Sequence, residues 1–296
     1  MTTGPINAMT IDVEEWFQVS AFERHIARED WEHLAPRVHL NTGRILDLLA
    51  EKGAHATFFV LGWIAERHPD LLRRIATEGH EVASHGFSHV RATQQTPDAF
   101  RADVTRTKAL LEDTAGVPVR GYRAASFSIG RDNLWALDVL REAGYEYSSS
   151  IYPVHHDLYG MPEAPRFAFR CLRTGLLEIP ITTLRLLGHN LPCGGGGYFR
   201  LLPYAYFRCA IGRVNRAERQ STVFYLHPWE VDPDQPRHSG LPWKTRFRHY
   251  INLHHTQARL SRLLDDFRWG RMDAVFLDSV PTADTPLVDL RAQHAL

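Results

Sequence analysis

Short apolar runs rich in β-branched and aromatic residues alternate with longer stretches of helical spacing through the first half of the chain. The short runs predict strands at residues 6–13, 56–61, 81–84 and 119–123. The longer stretches, several ending at glycine, predict helices at residues 40–51, 69–77, 97–114 and 133–142. Strands that alternate with helices indicate βαβ units and a parallel sheet, closed or nearly closed into a barrel.

The pattern becomes irregular over residues 145–197, which contain five prolines. Because a segment of this length is rarely structureless, we expect it to wrap the mouth of the barrel. Order returns with predicted helices at 203–217 and 256–267 and predicted strands at 221–226 and 273–277. We therefore expect one domain over residues 1–296, with a core at about 6–230 and a C-terminal extension, 231–296, packing on the barrel.

Composition narrows the possible partners. The 34 basic and 34 acidic side chains balance, so no overall field favours a nucleic acid or an anionic membrane. The first residues lack the features of a secretory signal, and no apolar run reaches the ~20 residues that span a bilayer, so we expect a cytoplasmic protein. Three widely spaced cysteines fit reduced thiols. A metal site would then have to use histidine and carboxylate ligands.

Two histidines four residues apart, His85 and His89, follow the predicted strand at 81–84. Side chains at this spacing share a face of a helical turn, so both could bind one ion. The pair alone is a weak signal among 17 histidines, and taken by itself it is better explained by two surface histidines. Gly86 stands where zinc proteases of the HExxH type carry glutamate.

Two carboxylates at the end of the first predicted strand strengthen the case for a metal. Asp12 and Glu14 flank Val13, and strand alternation puts both on the same side of the chain. One could bind the ion while the other acts as a base. A solvated acidic loop is the alternative.

Further candidates follow other strands. Arg123 could pair with a buried carboxylate and fix its orientation, although a lone arginine is usually a surface cation. His227, beside Pro228 and Trp229, is a candidate general acid or a packing histidine. Residues 194–197 are four glycines before Tyr198; they are either a loop lying close to a substrate or a plain linker.

Five segments together resemble the polysaccharide deacetylases, the family 4 carbohydrate esterases. They are TIDVEEW at 10–16, TFFV at 57–60, SHGFSH at 84–89, GYRAAS at 121–126 and LHPW at 226–229. The DVEEWF start and the segments GGGYFRLLP and HPWEVDPDQP look like the subgroup associated with exosortase and PEP-CTERM exopolysaccharide loci. The resemblance spans most of the chain, and the set is specific although each motif alone is not.

The resemblance implies a distorted (β/α) barrel of the polysaccharide deacetylase type and a metal-dependent hydrolase that removes N-acetyl groups from an amino-sugar polymer. Zinc is the implied ion, with cobalt or nickel as substitutes. The implied roles are a base (Asp12), metal ligands (Glu14, His85, His89), a residue orienting the base (Arg123), an acid (His227), an oxyanion site near Ser126, and substrate contacts from Trp229 and Tyr198.

The chain departs from the family pattern at several positions. Val13 replaces the second of two aspartates, Ala125 a proline, Gly86 a serine or threonine, and Ser148 an aspartate that supports the acid. Two other functions therefore remain open: a metal-dependent amidohydrolase acting on a small cyclic amide or ureide, and a catalytically silent carbohydrate-binding homologue. A cytoplasmic location would suit a lipid-linked or nucleotide-linked precursor as substrate.

Overall fold

A computed structural model describes residues 4–156, 159–279 and 282–292. Most strands join one large, mainly parallel sheet in the order β10-β1-β2-β3-β4-β5-β7-β6-β12, and β11 also pairs with β1. A separate hairpin joins β8 and β9. The strands are β1 Asn7–Val13, β2 Thr57–Val60, β3 Glu81–Ser84, β4 Gly121–Tyr122, β5 Tyr147–Ser148, β6 Phe169–Cys171, β7 Leu177–Glu178, β8 Thr183–Leu186, β9 His189–Pro192, β10 Val223–Leu226, β11 Trp269–Gly270 and β12 Leu287–Val288.

The helices connect the strands and agree with the predicted ones to within three residues at their starts, although the helix predicted over 203–217 becomes a π-helical turn after Arg213. Their sequences carry ordinary start and stop signals. Thr96, for example, caps α4 by accepting a hydrogen bond from the amide of Ala99, and Gly116 ends it in the left-handed conformation. The helices are α1 Val38–Glu51, α2 Gly62–Arg67, α3 Pro69–Thr77, α4 Pro97–Ala115, α5 Trp135–Glu142, α6 Gly196–Leu201, α7 Tyr204–Arg213, α8 Trp243–Tyr250 and α9 Leu253–Asp266.

Irregular chain bridges the gap between β7 and β10, so the strands form a distorted barrel that strand pairing does not close. The amide of Cys193 donates to the carbonyl of Thr182, beyond the end of β7, at 3.4 Å. The amide of Tyr225 in β10 donates to the carbonyl of Gly194 at 2.7 Å. A side chain on Gly195, at φ +117°, would overlap the carbonyl of Tyr225, so the glycine run permits this close approach.

Two sequence expectations need correction. The segment at 145–197 contains strands β5 to β9, of which β5 and β7 have only two residues each and are too short to show a period-two pattern. The predicted strand at 273–277 is wrong, since Asp273–Leu277 forms a helical turn. A short apolar run fits a buried strand or a buried helical turn equally well.

The helical turn at 273–277 follows Met272, which is buried against the inside of the sheet. The amide of Met272 donates to the hydroxyl of Thr57 at 2.7 Å, and that of Asp273 to Glu81 at 3.1 Å. Thr57 and Glu81 are the first residues of β2 and β3. The C-terminal part of the chain therefore closes the amino end of these strands.

The opposite end of the barrel collects the candidate residues. Asp12 lies at the carboxyl end of β1, and His85, Arg123 and His227 follow β3, β4 and β10 directly. Because these strands run parallel, their carboxyl ends meet at one edge. Among the described residues, no helix is long and apolar enough to cross a membrane.

Candidate active site

Asp12 and Arg123 form a buried ion pair at the centre of this edge. Arg123 Nη1 lies 2.5 Å from Asp12 Oδ1 and 2.8 Å from the hydroxyl of Thr10. Arg123 Nε donates to the carbonyl of Ser149 at 3.2 Å, and the guanidinium lies over the ring of Phe59 at 4.0 Å. These contacts hold the guanidinium in one position, so it fixes the direction of the Asp12 carboxylate.

Glu14, His85 and His89 converge beside this pair, each offering a ligand atom within 4.8 Å of the others. All three are buried. The histidines lie in a loop rather than on the helical turn expected from their spacing. Gly86 at φ +75° and His89 at φ +52° bend this loop so that the second imidazole returns towards the first.

The electrostatics of these three side chains suit a cation. Burial lowers the pKa of His85 to about 4, and its Nδ1 lies 2.8 Å from the carbonyl of Arg123, so the neutral ring presents Nε2 to the pocket. Burial alone would raise the pKa of Glu14, but the charges of His89 and His227 outweigh it and lower that pKa to about 2.

One oxygen of Glu14 has an unusual environment. Glu14 Oε2 is buried and forms an ion pair with His89 Nε2 at 2.9 Å, but it has no well-aligned hydrogen bond within the described part of the chain. A buried carboxylate oxygen is normally hydrogen-bonded or bound to a metal. The donor set of one carboxylate and two imidazoles fits zinc or a similar divalent ion and leaves further positions open.

His227 faces the same pocket from the end of β10. Its Nε2 lies 3.5 Å from Glu14 Oε1 and 4.0 Å from Asp12 Oδ2. Its Nδ1 lies 2.7 Å from Glu230 Oε1, which places a proton on Nδ1. Burial would lower the pKa of His227, but Glu14 and Glu230 raise it to about 9, so the imidazole can carry a second proton.

Glu230 and Arg200 support His227, and sequence reasoning assigned neither a role. Pro228 begins the short 3₁₀ turn Pro228–Val231, which brings Glu230 under the imidazole. Arg200 Nε donates to Glu230 Oε2 at 2.6 Å, and both side chains are buried. The signal available in the sequence was a carboxylate three residues after the candidate acid. The hydroxyl of Ser148, at the position where relatives carry aspartate, instead donates to Ser150 at 2.9 Å.

The remaining predicted residues lie around this pocket or beside it. Ser126 lines the pocket in the left-handed conformation, at φ +53°, and its hydroxyl lies 2.6 Å from that of Ser20. Trp229 lines it too, donating from its indole N–H to Glu14 at 3.2 Å and stacking on His227. Tyr198 is not in this pocket but lines an adjoining cavity of about 410 Å³.

One pocket of about 180 Å³ therefore gathers a carboxylate held by arginine, a possible metal-ligand set and a protonated imidazole. The first can accept a proton, the second can hold a Lewis acid, and the third can donate a proton. Groups with these three properties around one space suit hydrolysis of an amide or ester.

Comparison with known proteins agrees with this picture. Residues 35–148 match the family model described as polysaccharide deacetylase, and residues 149–277 match a domain of unknown function, DUF3473. The first match includes His85, His89 and Arg123, whereas His227 falls in the second.

Two curated relatives share part of the chain. A chitooligosaccharide deacetylase of Rhizobium leguminosarum bv. trifolii is 38% identical over 115 residues, which are 38% of this chain and 49% of the relative. A peptidoglycan-N-acetylglucosamine deacetylase of Bacillus cereus is 35% identical over 98 residues, 33% of this chain and 36% of the relative. The matched segments span about half or less of these relatives.

Solved structures share the fold. A Mycobacterium smegmatis protein described as a polysaccharide deacetylase superposes with a TM-score of 0.61 at 21% identity, covering 96% of this chain and 92% of its own. A Bacillus anthracis CE4 pseudoenzyme, in a variant with restored activity, gives 0.50 at 13% identity, covering 93% and 68%. Residues 35–148 are therefore similar to the polysaccharide deacetylase family, and the chain as a whole shares its fold with a solved protein described as a polysaccharide deacetylase.

Proposed function

We propose that the protein is a metal-dependent deacetylase that hydrolyses the N-acetyl group of an amino sugar in a glycan. The observation that carries this proposal is the meeting of Asp12, the ligand set of Glu14, His85 and His89, and His227 around one pocket. An N-acetyl amide is a poor electrophile, so its hydrolysis needs a base, charge stabilisation at the carbonyl and an acid for the departing amine. The pocket provides a candidate for each.

Asp12 is the proposed base. Its Oδ1 is held by Arg123, which leaves Oδ2 turned towards the pocket and 4.0 Å from His227 Nε2. A water in this space could lose its proton to Oδ2 as it attacks the acetyl carbon. Arg123 keeps the carboxylate in position and balances its negative charge throughout.

Glu14, His85 and His89 would hold the divalent ion, most readily zinc. When bound, the ion supplies polarisation of the acetyl carbonyl and of the attacking water. Val13 departs from the family pattern without removing a ligand, because its side chain is buried in the hydrophobic core while residues 12 and 14 line the pocket. Strand alternation thus gives Glu14 the ligand position.

His227 is the proposed acid. Glu230 accepts a hydrogen bond from the N–H at Nδ1 of His227, which orients Nε2 towards the pocket to protonate the leaving amine. Release of the amine gives acetate and a free amino sugar. The backbone beside Ser126, at the wall of the pocket, is the proposed site for the oxygen that becomes negative in the transition state.

We further propose that the substrate is an exopolysaccharide or its lipid-linked or nucleotide-linked precursor, and that the protein acts in the cytoplasm. The resemblance of its motifs to the exosortase-associated subgroup supports the first part. Fractionation of the native cells tests the location, and recovery of the protein in the periplasm would refute it.

Acetate release by the metal-loaded protein from an N-acetylglucosamine oligomer tests the activity. We expect release by the wild type and almost none by an Asp12→Asn variant that still binds the oligomer. Turnover of allantoin without acetate release would instead support a cyclic ureide hydrolase. Equal oligomer binding by both proteins with no turnover in either would identify a silent carbohydrate-binding homologue.

A further inference from the structure

A groove leads out of the active-site pocket towards α8. Tyr159 and Tyr225 line both the pocket and the adjoining cavity of about 410 Å³. Phe247 and Ile251 line both that cavity and a third one of about 450 Å³. The three spaces therefore adjoin one another in series and are called the track here; its outer two parts lie outside the groups assigned to hydrolysis.

The walls of this track are aromatic. Tyr198, Tyr159 and Phe247 line the middle part, and Trp243 and Tyr250 line the outer part. Phe247 is 52% exposed and Trp243 is 73% exposed, although large aromatic side chains are usually covered. Flat apolar rings along an open groove suit the faces of sugar rings.

The outer part is also strongly basic. Between Asp234 and Asp265 the sequence contains six lysines and arginines and no acidic residue, although the whole chain is neutral. Arg237, Arg246 and Arg248 line the track and are exposed. Within the described residues, neither Arg237 nor Arg246 forms an ion pair with a carboxylate. The adjacent helix α6 contributes no acid either.

We infer that this groove binds the neighbouring units of an acidic glycan, so that the enzyme prefers a substrate with carboxylate-bearing sugars next to the N-acetylated one. The inference rests on the proposed deacetylase activity. The rings of Tyr198, Phe247 and Trp243 stack on sugars, and Arg237, Arg246 and Arg248 bind the acidic groups. A linear polymer fits better than a membrane surface because the basic and aromatic residues line a track continuous with the pocket.

A matched pair of oligosaccharides tests the preference. One is an alternating oligomer of N-acetylglucosamine and glucuronic acid, and the other is the same oligomer with its carboxylates reduced to alcohols. At low salt we expect a KM at least about fivefold lower for the acidic oligomer, with the difference declining as salt is added. Equal KM values for the two oligomers would overturn the inference.

Variants test whether the three arginines of the groove cause the preference for the acidic oligomer. The triple change Arg237→Gln, Arg246→Gln and Arg248→Gln should abolish the preference and leave kcat on the reduced oligomer unchanged. The control carries three exposed arginines from other helices changed to glutamine, at Arg73, Arg141 and Arg213, and should keep the preference. Retention of the preference by the first variant, or equal loss in both, would contradict the proposal.

Binding measurements separate this inference from the proposed activity. If neither oligomer releases acetate, the activity proposal fails, and calorimetric titration of the two oligomers into the wild type still tests the groove. Tighter binding of the acidic oligomer, lost only in the groove variant, would support it, whereas no binding would refute it. Vesicles of phosphatidylcholine and phosphatidylglycerol form a further arm. Vesicle binding that depends on the three arginines, without any oligomer preference, would overturn the glycan proposal and indicate that the groove binds a membrane surface.

Discussion

The two ends of the barrel interior bury carboxylates with opposite electrostatic character. At the carboxyl end of the strands, the charges of His89 and His227 outweigh burial and hold the pKa of Glu14 at about 2. At the amino end, burial and the nearby charge of Asp273 raise the pKa of Glu81 well above its usual value. The same fold therefore stabilises an ionised carboxylate at one end and a protonated one at the other.

Access to solvent and the available partners explain the difference. The amino end is closed by the turn after Met272, and Glu81 accepts hydrogen bonds from the hydroxyls of Tyr147 at 2.9 Å and Thr57 at 2.5 Å. The carboxyl end opens into a pocket where Glu14 Oε2 has no such hydroxyl partner. Perturbed carboxylates occur in both places, so perturbation alone does not identify a catalytic site. The open pocket and the three converging ligand atoms of Glu14, His85 and His89 distinguish the proposed site at the carboxyl end.

Exchanging a carboxylate for an amide at each end gives the largest expected contrast. Asp12→Asn should lower kcat/KM by about a hundredfold to ten-thousandfold, because it removes the proposed base. Glu81→Gln should leave kcat/KM within about twofold of the wild type, because Glu81 lies at the closed amino end and contributes to stability rather than to catalysis. Acetate-release kinetics on metal-loaded proteins measure both, and a similar loss in the two variants would remove the distinction between the ends.

The two histidines that flank β3 provide the next contrast. His85 follows the strand and faces the pocket, whereas His80 precedes it and accepts a hydrogen bond from the amide of Ala56 at 3.2 Å. His85→Ala should lose the bound ion, and His80→Ala should keep it at a lower melting temperature. Elemental analysis of the dialysed proteins gives the metal content. Full metal occupancy in the His85 variant would exclude this residue as a ligand.

Glu230→Gln should have a smaller effect on activity, lowering kcat about tenfold to hundredfold with little change in KM, because His227 would lose the group that orients it. The pKa of His227 is raised to about 9, so its acid form is present below that pH and is lost as pH rises through it. Removing the Glu230 charge should move the alkaline fall in kcat to lower pH. A pH profile identical to that of the wild type would contradict this positioning role.

The smallest expected effect is on stability at the closed end. An unfolded glutamate loses its proton near pH 4.5, whereas folded Glu81 retains it to a higher pH. The folded state then binds more protons, and the free energy of unfolding should fall by on the order of 1 kcal/mol or more as pH rises above 4.5. Urea denaturation across pH should show this fall in the wild type and a flatter curve for Glu81→Gln. Parallel curves would show that Glu81 does not cause the fall.

Sequence reasoning succeeded where a long periodic pattern or a distinct motif set was available. The helix at Pro69–Thr77 and the strand at Glu81–Ser84 were predicted with their observed bounds. The resemblance to deacetylases named seven residues that line the pocket, although it also named Tyr198, which lies outside the pocket. Strand ends explain why the pocket residues meet. The backbone of the histidine loop was not predicted, because it depends on left-handed residues that the spacing of the two histidines does not reveal.

The failures have physical causes. Strands such as Tyr147–Ser148 have two residues, so no period can be read from them. Glu230 looks like an ordinary surface acid in sequence, and only the turn begun by Pro228 brings it beneath His227. The cavity along α8 is lined by segments distant in sequence, for example by Tyr198 and Phe247. Such tertiary arrangements cannot be predicted from local sequence patterns.

The most direct test of the account is acetate release from an N-acetylglucosamine oligomer by wild-type protein that has been stripped with a chelator and then titrated with zinc. The account predicts that stripping abolishes release and that activity returns to a plateau at one equivalent of zinc per chain. Acetate release that is unaffected by complete removal of metal would contradict it.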